Sequence, residues 1–189
     1  ELQFPFFSSE AVKWNAEQSH VVYFNRPTDC VRDLEAEKWT GFIEEPELRC
    51  LSTGNSTARV LVMGNSYAYR AFPVLHRIFN GRYAQMRLFT RSSTVFLTKD
   101  SWSSLYVSKA QIVLEKFRPD ITFLIEKDFG KLSTSFSRAV EDDPITKEMI
   151  AAIDILSNYS GTVVVDRQYY QPHINAGAAY TIHKRILQG

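Results

Sequence analysis

From Arg59 the chain runs apolar through Val60, Leu61, Val62 and Met63 and then stops abruptly at Gly64-Asn65-Ser66. A short β-rich run with no polar residue for either face reads as a strand buried on both sides, which restricts it to a sheet covered by helices. The residues that follow keep that grammar. Residues 68–79 place apolar side chains at 68, 71, 72, 75, 78 and 79, a helical stripe in which Pro73 suits only a first turn. Residues 83–89 read as a second strand, and a helix capped by Asp100 or Ser101 runs to Phe117. Residues 121–125 form a third strand. Asp142-Asp143-Pro144 opens a helix that continues through Leu156, because Pro suits the first helical position. Residues 162–165 are a fourth strand, and residues 175–187 a closing helix with His183, Lys184 and Arg185 at its C-terminal end. Four strands separated by helices predict an α/β fold: three layers, α/β/α, around a doubly wound parallel sheet.

Residues 1–57 lack a sustained period and carry scattered aromatics with prolines at 5, 27 and 46. They read as an irregular N-terminal extension, with residues 21–24 as one short strand, leaving 58–189 as the α/β domain. Cys30 and Cys50 are the only cysteines and lie in this extension. They either close one loop or sit as core residues; a bond across 20 residues would contribute about 3 kcal/mol in the chain-entropy account. Asn55-Ser56-Thr57 and Asn158-Tyr159-Ser160 both fit the N-glycosylation pattern. Cysteines and sequons together point to an extracellular or lumenal setting. The first residues show no basic-then-apolar signal pattern, so that setting implies a processed or excised piece.

The net charge is +1, from 22 basic and 21 acidic residues with no long single-sign run, which argues against a nucleic-acid groove or a polybasic membrane patch. No apolar segment approaches the roughly 18 residues of a membrane-spanning helix. Cys and His do not cluster at zinc spacing, and Gly64 alone does not make a phosphate loop, so neither a metal nor a cofactor is expected.

Chemistry concentrates at two places. Ser66 ends the first sheet strand, at the edge where open α/β sheets build their sites. A serine hydroxyl needs a base to remove its proton and donors for the developing oxyanion. At a strand-to-helix turn its own backbone N–H supplies one donor, and Asn65 orients the turn. The bland reading of Asn65-Ser66 is a helix cap. His173, in Pro172-His173-Ile174-Asn175, follows the last strand and so belongs to the same edge; its bland reading is a surface histidine before a helix. Together they suggest serine-dependent acyl transfer.

Val60-Leu61-Val62-Met63-Gly64-Asn65-Ser66-Tyr67-Ala68 resembles the nucleophile block of SGNH hydrolases, usually written Gly-Asp-Ser. The Gly-Asn-Ser-Tyr-Ala form, Pro73 and the preceding Cys30 and Cys50 are similar to a narrower group, the C-terminal SGNH domains of nematode-type membrane-bound O-acyltransferases of acyltransferase family 3. His173-Ile174-Asn175-Ala176-Gly177-Ala178 resembles the family's final block. The resemblance implies Ser66 as nucleophile and His173 as general base. It also implies an acyl donor and an acceptor hydroxyl on a glycan, lipid or protein, with a membrane acyltransferase domain as donor in the parent protein. The family's Asp three residues before the histidine is replaced by Tyr170. Asp166, at the end of the fourth strand, is the nearest upstream carboxylate; either it substitutes, or a Ser–His dyad operates, or the site is catalytically dead. A loop lost between Asp166 and Arg167 is a further option. The family's oxyanion residues fall near Ser92 and near Glu126-Lys127, where neither the expected Gly nor the expected Asn is present, so Asn65, Tyr67 and Ser92 remain as oxyanion or substrate-binding residues. The rival expectation is a degenerate SGNH module that binds a glycan, lipid or protein, and a third is a cytosolic α/β binding domain with chance motifs.

Overall fold

The computed structural model describes residues 27–97, 103–127 and 143–166. The expected strand at 21–24, the closing helix at 175–187 and His173 lie outside them. Among the described residues the elements are β1 (Val31–Arg32), α1 (Leu34–Thr40), a 3-10 turn (Pro46–Leu48), β2 (Arg49–Thr53), β3 (Arg59–Gly64), α2 (Ser66–Phe79), β4 (Gln85–Thr90), α3 (Ser104–Phe117), β5 (Ile121–Ile125), α4 (Pro144–Tyr159) and β6 (Thr162–Val165). The fold is α/β, with six strands in the order β1-β2-β4-β3-β5-β6.

The four strands expected from the apolar runs are mutually parallel: β3 pairs with β4 through Val60↔Met86 and with β5 through Val60↔Ile121, and β5 pairs with β6. The sheet as a whole is mixed. β2 joins β4 antiparallel, Cys50 opposite Leu88, and β1 joins β2 in the same sense. Residues 31–53, expected to be irregular, therefore supply two strands and a helix. β2 escapes a pattern search because its buried residues include Arg49 and Ser52.

β3 is central and buried on both faces, which explains its unbroken apolar run. Val60 and Val62 share one cluster with Ala68 and Phe72 of α2 and with Met86 and Leu88 of β4. Leu61 and Met63 share the other with Tyr106, Val113 and Leu114 of α3, Ala152 and Leu156 of α4, and Ala36 of α1. Asp143 caps α4 through the Thr146 amide, 2.6 Å from its carboxylate, with Pro144 at the first position. Pro73 lies well inside α2, past the expected first turn, where it removes one backbone donor from the ladder.

Two buried arginines help to hold together the segments that the sequence left irregular. Arg87 of β4 has no exposed side-chain surface; its Nε lies 3.0 Å from Asp33 and its Nη2 2.7 Å from Glu35, while Trp39 and Phe117 cover the guanidinium at 4.4 and 4.6 Å. Burial pushes the Asp33 carboxyl up, and the Arg87 charge opposes that shift. Arg49 of β2 lies 4.3 Å over the Phe42 ring and donates to the Glu44 carbonyl. The Cys30–Cys50 disulfide ties the loop ahead of β1 to β2.

Candidate functional site

The sheet's strand order turns back on either side of β3: β4 lies beside it on one flank and β5 on the other. The crevice at the carboxyl ends of such a switch point is where open sheets bind ligands. Gly64 ends β3 there with φ +135°, and any Cβ would run into the Ile125 carbonyl oxygen, so only glycine fits. Its N–H donates to the Tyr106 hydroxyl at 2.8 Å, and that hydroxyl donates to the Phe89 carbonyl at 3.0 Å. Burial pushes the Tyr106 phenol far above its ordinary range and keeps it protonated for this second bond.

Asn65 is fully buried and joins three strand ends. Its Nδ2 donates to the carbonyls of Thr94, after β4, and of Lys127, after β5, both at 3.0 Å. Its Oδ1 accepts the Tyr67 amide at 3.1 Å as the cap of α2, and the Lys127 amide at 3.4 Å. An aspartate could accept but could not donate to two carbonyls, which is the physical reason for an amide here. Ser66 follows as the first residue of α2, half-buried. Neither its hydroxyl nor its N–H has a hydrogen-bond partner among the described residues. The first-turn amides of a helix lack intrahelical acceptors and carry the positive end of the dipole, so the Ser66 N–H is a ready oxyanion donor.

The other expected donors fare differently. The Tyr67 amide is consumed by the Asn65 cap, leaving its ring as the contact surface, with Arg70 and Lys127 each 5.9 Å from the ring centre. The Ser92 amide donates to Glu45 Oε2 at 3.2 Å. Glu45 adopts a left-handed backbone, φ +48°, and so does Ser93, φ +58°. Asp166 follows β6 on the same edge, exposed, with its amide bonded to the Leu124 carbonyl at 2.9 Å.

Several residues at this edge carried no sequence signal. Glu126 is buried, and its two oxygens accept the Phe96 and Leu97 amides at 2.7 and 3.0 Å. Together with Ser103, whose hydroxyl accepts the Val95 amide, it fixes the loop after β4. These partners stand about 30 and 8 positions away, a relation that no local pattern encodes. Among the described residues no group of three or more His, Cys, Asp or Glu is placed to hold a metal. No protein-family model, characterised protein or solved structure matches this chain.

Proposed function

We propose that the chain is an extracytoplasmic SGNH-type domain, a doubly wound α/β/α sheet extended by β1 and β2, that moves an O-linked acyl group through an acyl–Ser66 intermediate. The observation that carries this reading is the Gly64-Asn65-Ser66 turn. A buried amide locks it to both neighbouring strand ends, and it leaves the serine's hydroxyl and N–H open at the switch point. In the proposed step the Ser66 Oγ bonds to the acyl carbonyl carbon while His173 takes the hydroxyl proton. The carbonyl oxygen bears the negative charge against the Ser66 N–H, and the donor's leaving oxygen or sulfur departs with the proton from His173. Water or an acceptor hydroxyl then reverses the sequence.

Asp166 suits the orienting role. It follows β6, two strands from β3 and on the same edge of the sheet as Ser66. Cys30–Cys50 is consistent with an oxidising compartment, in which a membrane acyltransferase domain of the parent protein would supply the acyl group.

The test is turnover of a short-chain aryl ester. Ser66→Ala and His173→Ala should each lower it at least about 100-fold, with unchanged unfolding midpoints. Equal rates in wild type and Ser66→Ala would reject the assignment. One observation favours the alternative of a non-catalytic module that binds a glycan, lipid or protein: the Ser92 amide, a candidate second oxyanion donor, is occupied by Glu45.

A further inference from the structure

At the opposite end of β2 from the 3-10 turn, a cleft of about 490 Å³ is lined by Asp29, His76, Arg77 and Asn80, with the rings of Pro27 and Pro73. Its floor is a tight polar cluster. The buried Ser52 hydroxyl lies 2.9 Å from Asp29 Oδ2, 3.1 Å from His76 Nε2 and 2.9 Å from the Tyr83 hydroxyl. His76 Nε2 lies 3.0 Å from Asp29 Oδ2 and 2.8 Å from the Tyr83 hydroxyl. Carboxylate, serine and tyrosine all crowd the same imidazole nitrogen, so this is not a relay in which acid and hydroxyl occupy opposite nitrogens. It is a rigid wall.

Above that wall the cleft offers unmatched groups. The Arg77 and Asn80 side chains are exposed and have no hydrogen-bond or ion-pair partner among the described residues, and the Asp29 side chain is 55% exposed. An anion would meet Asp29 and a cation would meet Arg77. Hydroxyls, which both donate and accept, satisfy acid, guanidinium and amide alike, while the proline rings offer apolar faces to C–H groups. These are the requirements of a saccharide.

A source of saccharide stands at the rim. Asn55 of the Asn55-Ser56-Thr57 sequon is exposed in the β2–β3 loop, and its N–H donates to the carbonyl of Gly81, a residue of the cleft lining, at 2.9 Å. Its Oδ1 comes within 3.8 Å of the position a Cβ on Gly81 would take. We propose that Asn55 carries an N-linked glycan and that this cleft seats its first sugars. The bond formed joins the Asn55 amide nitrogen to the anomeric carbon. The bond broken is that carbon's link to the pyrophosphate of a lipid-linked oligosaccharide donor, and the amide loses one proton. Asn158, the other sequon asparagine, lies in the last turn of α4, and its Ser160 hydroxyl is held 2.7 Å from Thr122. It serves as the control position. The inference requires a lumenal chain but not acyl chemistry at Ser66.

The chain secreted from a eukaryotic cell line is compared intact, after trimming to the first sugar with an endoglycosidase, and after complete removal with an amidase. Intact mass should show a glycan lost in Asn55→Gln. Complete removal should lower the melting temperature by about 2–4 °C, and trimming to one sugar should leave most of that difference in place. The difference should vanish in glycosylated Arg77→Ala and persist in Asn158→Gln, whatever each substitution does to the baseline. Secreted protein without a glycan on Asn55, or the same difference in Arg77→Ala as in wild type, overturns the proposal.

Discussion

Gly64 and Asn65 set the position of Ser66 by different physical means. At Gly64 the constraint is steric: φ +135° and the facing Ile125 carbonyl leave no room for a side chain. Gly64→Ala is expected to cost about 3 kcal/mol or more, read as a fall in the urea midpoint. At Asn65 the constraint is chemical. Asn65→Asp would set a carboxylate against the Thr94 and Lys127 carbonyls in place of the amide that donates to both, and should lose roughly 2–5 kcal/mol by the same measurement. Asp29 supplies a pH-dependent counterpart at the far end of β2. Partial desolvation pushes its carboxyl upward, but the Ser52 hydrogen bond, with the His76 ring, outweighs this and holds it below the usual carboxylate range. A lowered folded-state value means the native state releases this proton more readily than the unfolded chain. The linked stability is therefore present above the unfolded value of 3.8 and lost as pH falls through the lowered one. Asp29→Asn should flatten the acid limb of a stability-against-pH curve, and an unchanged limb would contradict that linkage.

At the scale of elements, the strands that the sequence predicted and those it concealed differ in what they bury. β3 and β5 bury or half-bury Val, Leu, Ile and Phe, and β6 is a run of valines of which Val163 is half-buried, so their runs are visible without knowing the fold. β2 buries Arg49 and Ser52, whose charge and hydroxyl are matched only by partners elsewhere: the Phe42 ring and Glu44 carbonyl for Arg49, and the Asp29–His76–Tyr83 cluster for Ser52. α1 is seven residues long and is preceded by Asp33, whose carboxylate caps it through the Ala36 amide at 3.0 Å while its other oxygen faces Arg87. A helix that short has little periodicity to detect. The buried pair is tested by Arg87→Leu, expected to cost about 3–5 kcal/mol because the buried Asp33 carboxyl loses its cationic partner. Arg87→Leu with Asp33→Asn should cost less than the sum of the single changes in a double-mutant cycle. Strict additivity would show that the two do not act as a pair.

Across the whole molecule, the α/β class and the parallel run β4-β3-β5-β6 were legible, and the mixed sheet was not, because antiparallel addition of β1 and β2 depends on long-range pairing such as Cys50 with Leu88. The Cys30–Cys50 bond closes that addition, and reducing it should lower stability by about 3 kcal/mol for its 20-residue separation. The candidate site was legible in its positions: Ser66 and Asp166 both stand at the carboxyl ends of strands in one sheet. Its supports, Thr94, Tyr106 and Glu126, were not, since each is held by a bond between a side chain and a backbone group 29 to 42 positions apart. What remains decisive is whether the open hydroxyl at residue 66 is activated. Intact mass after treatment with a fluorophosphonate measures that directly. A single adduct on the wild type, absent in Ser66→Ala and sharply slowed in His173→Ala, is the predicted result; an unlabelled wild type, or equal labelling of Ser66→Ala, would contradict it.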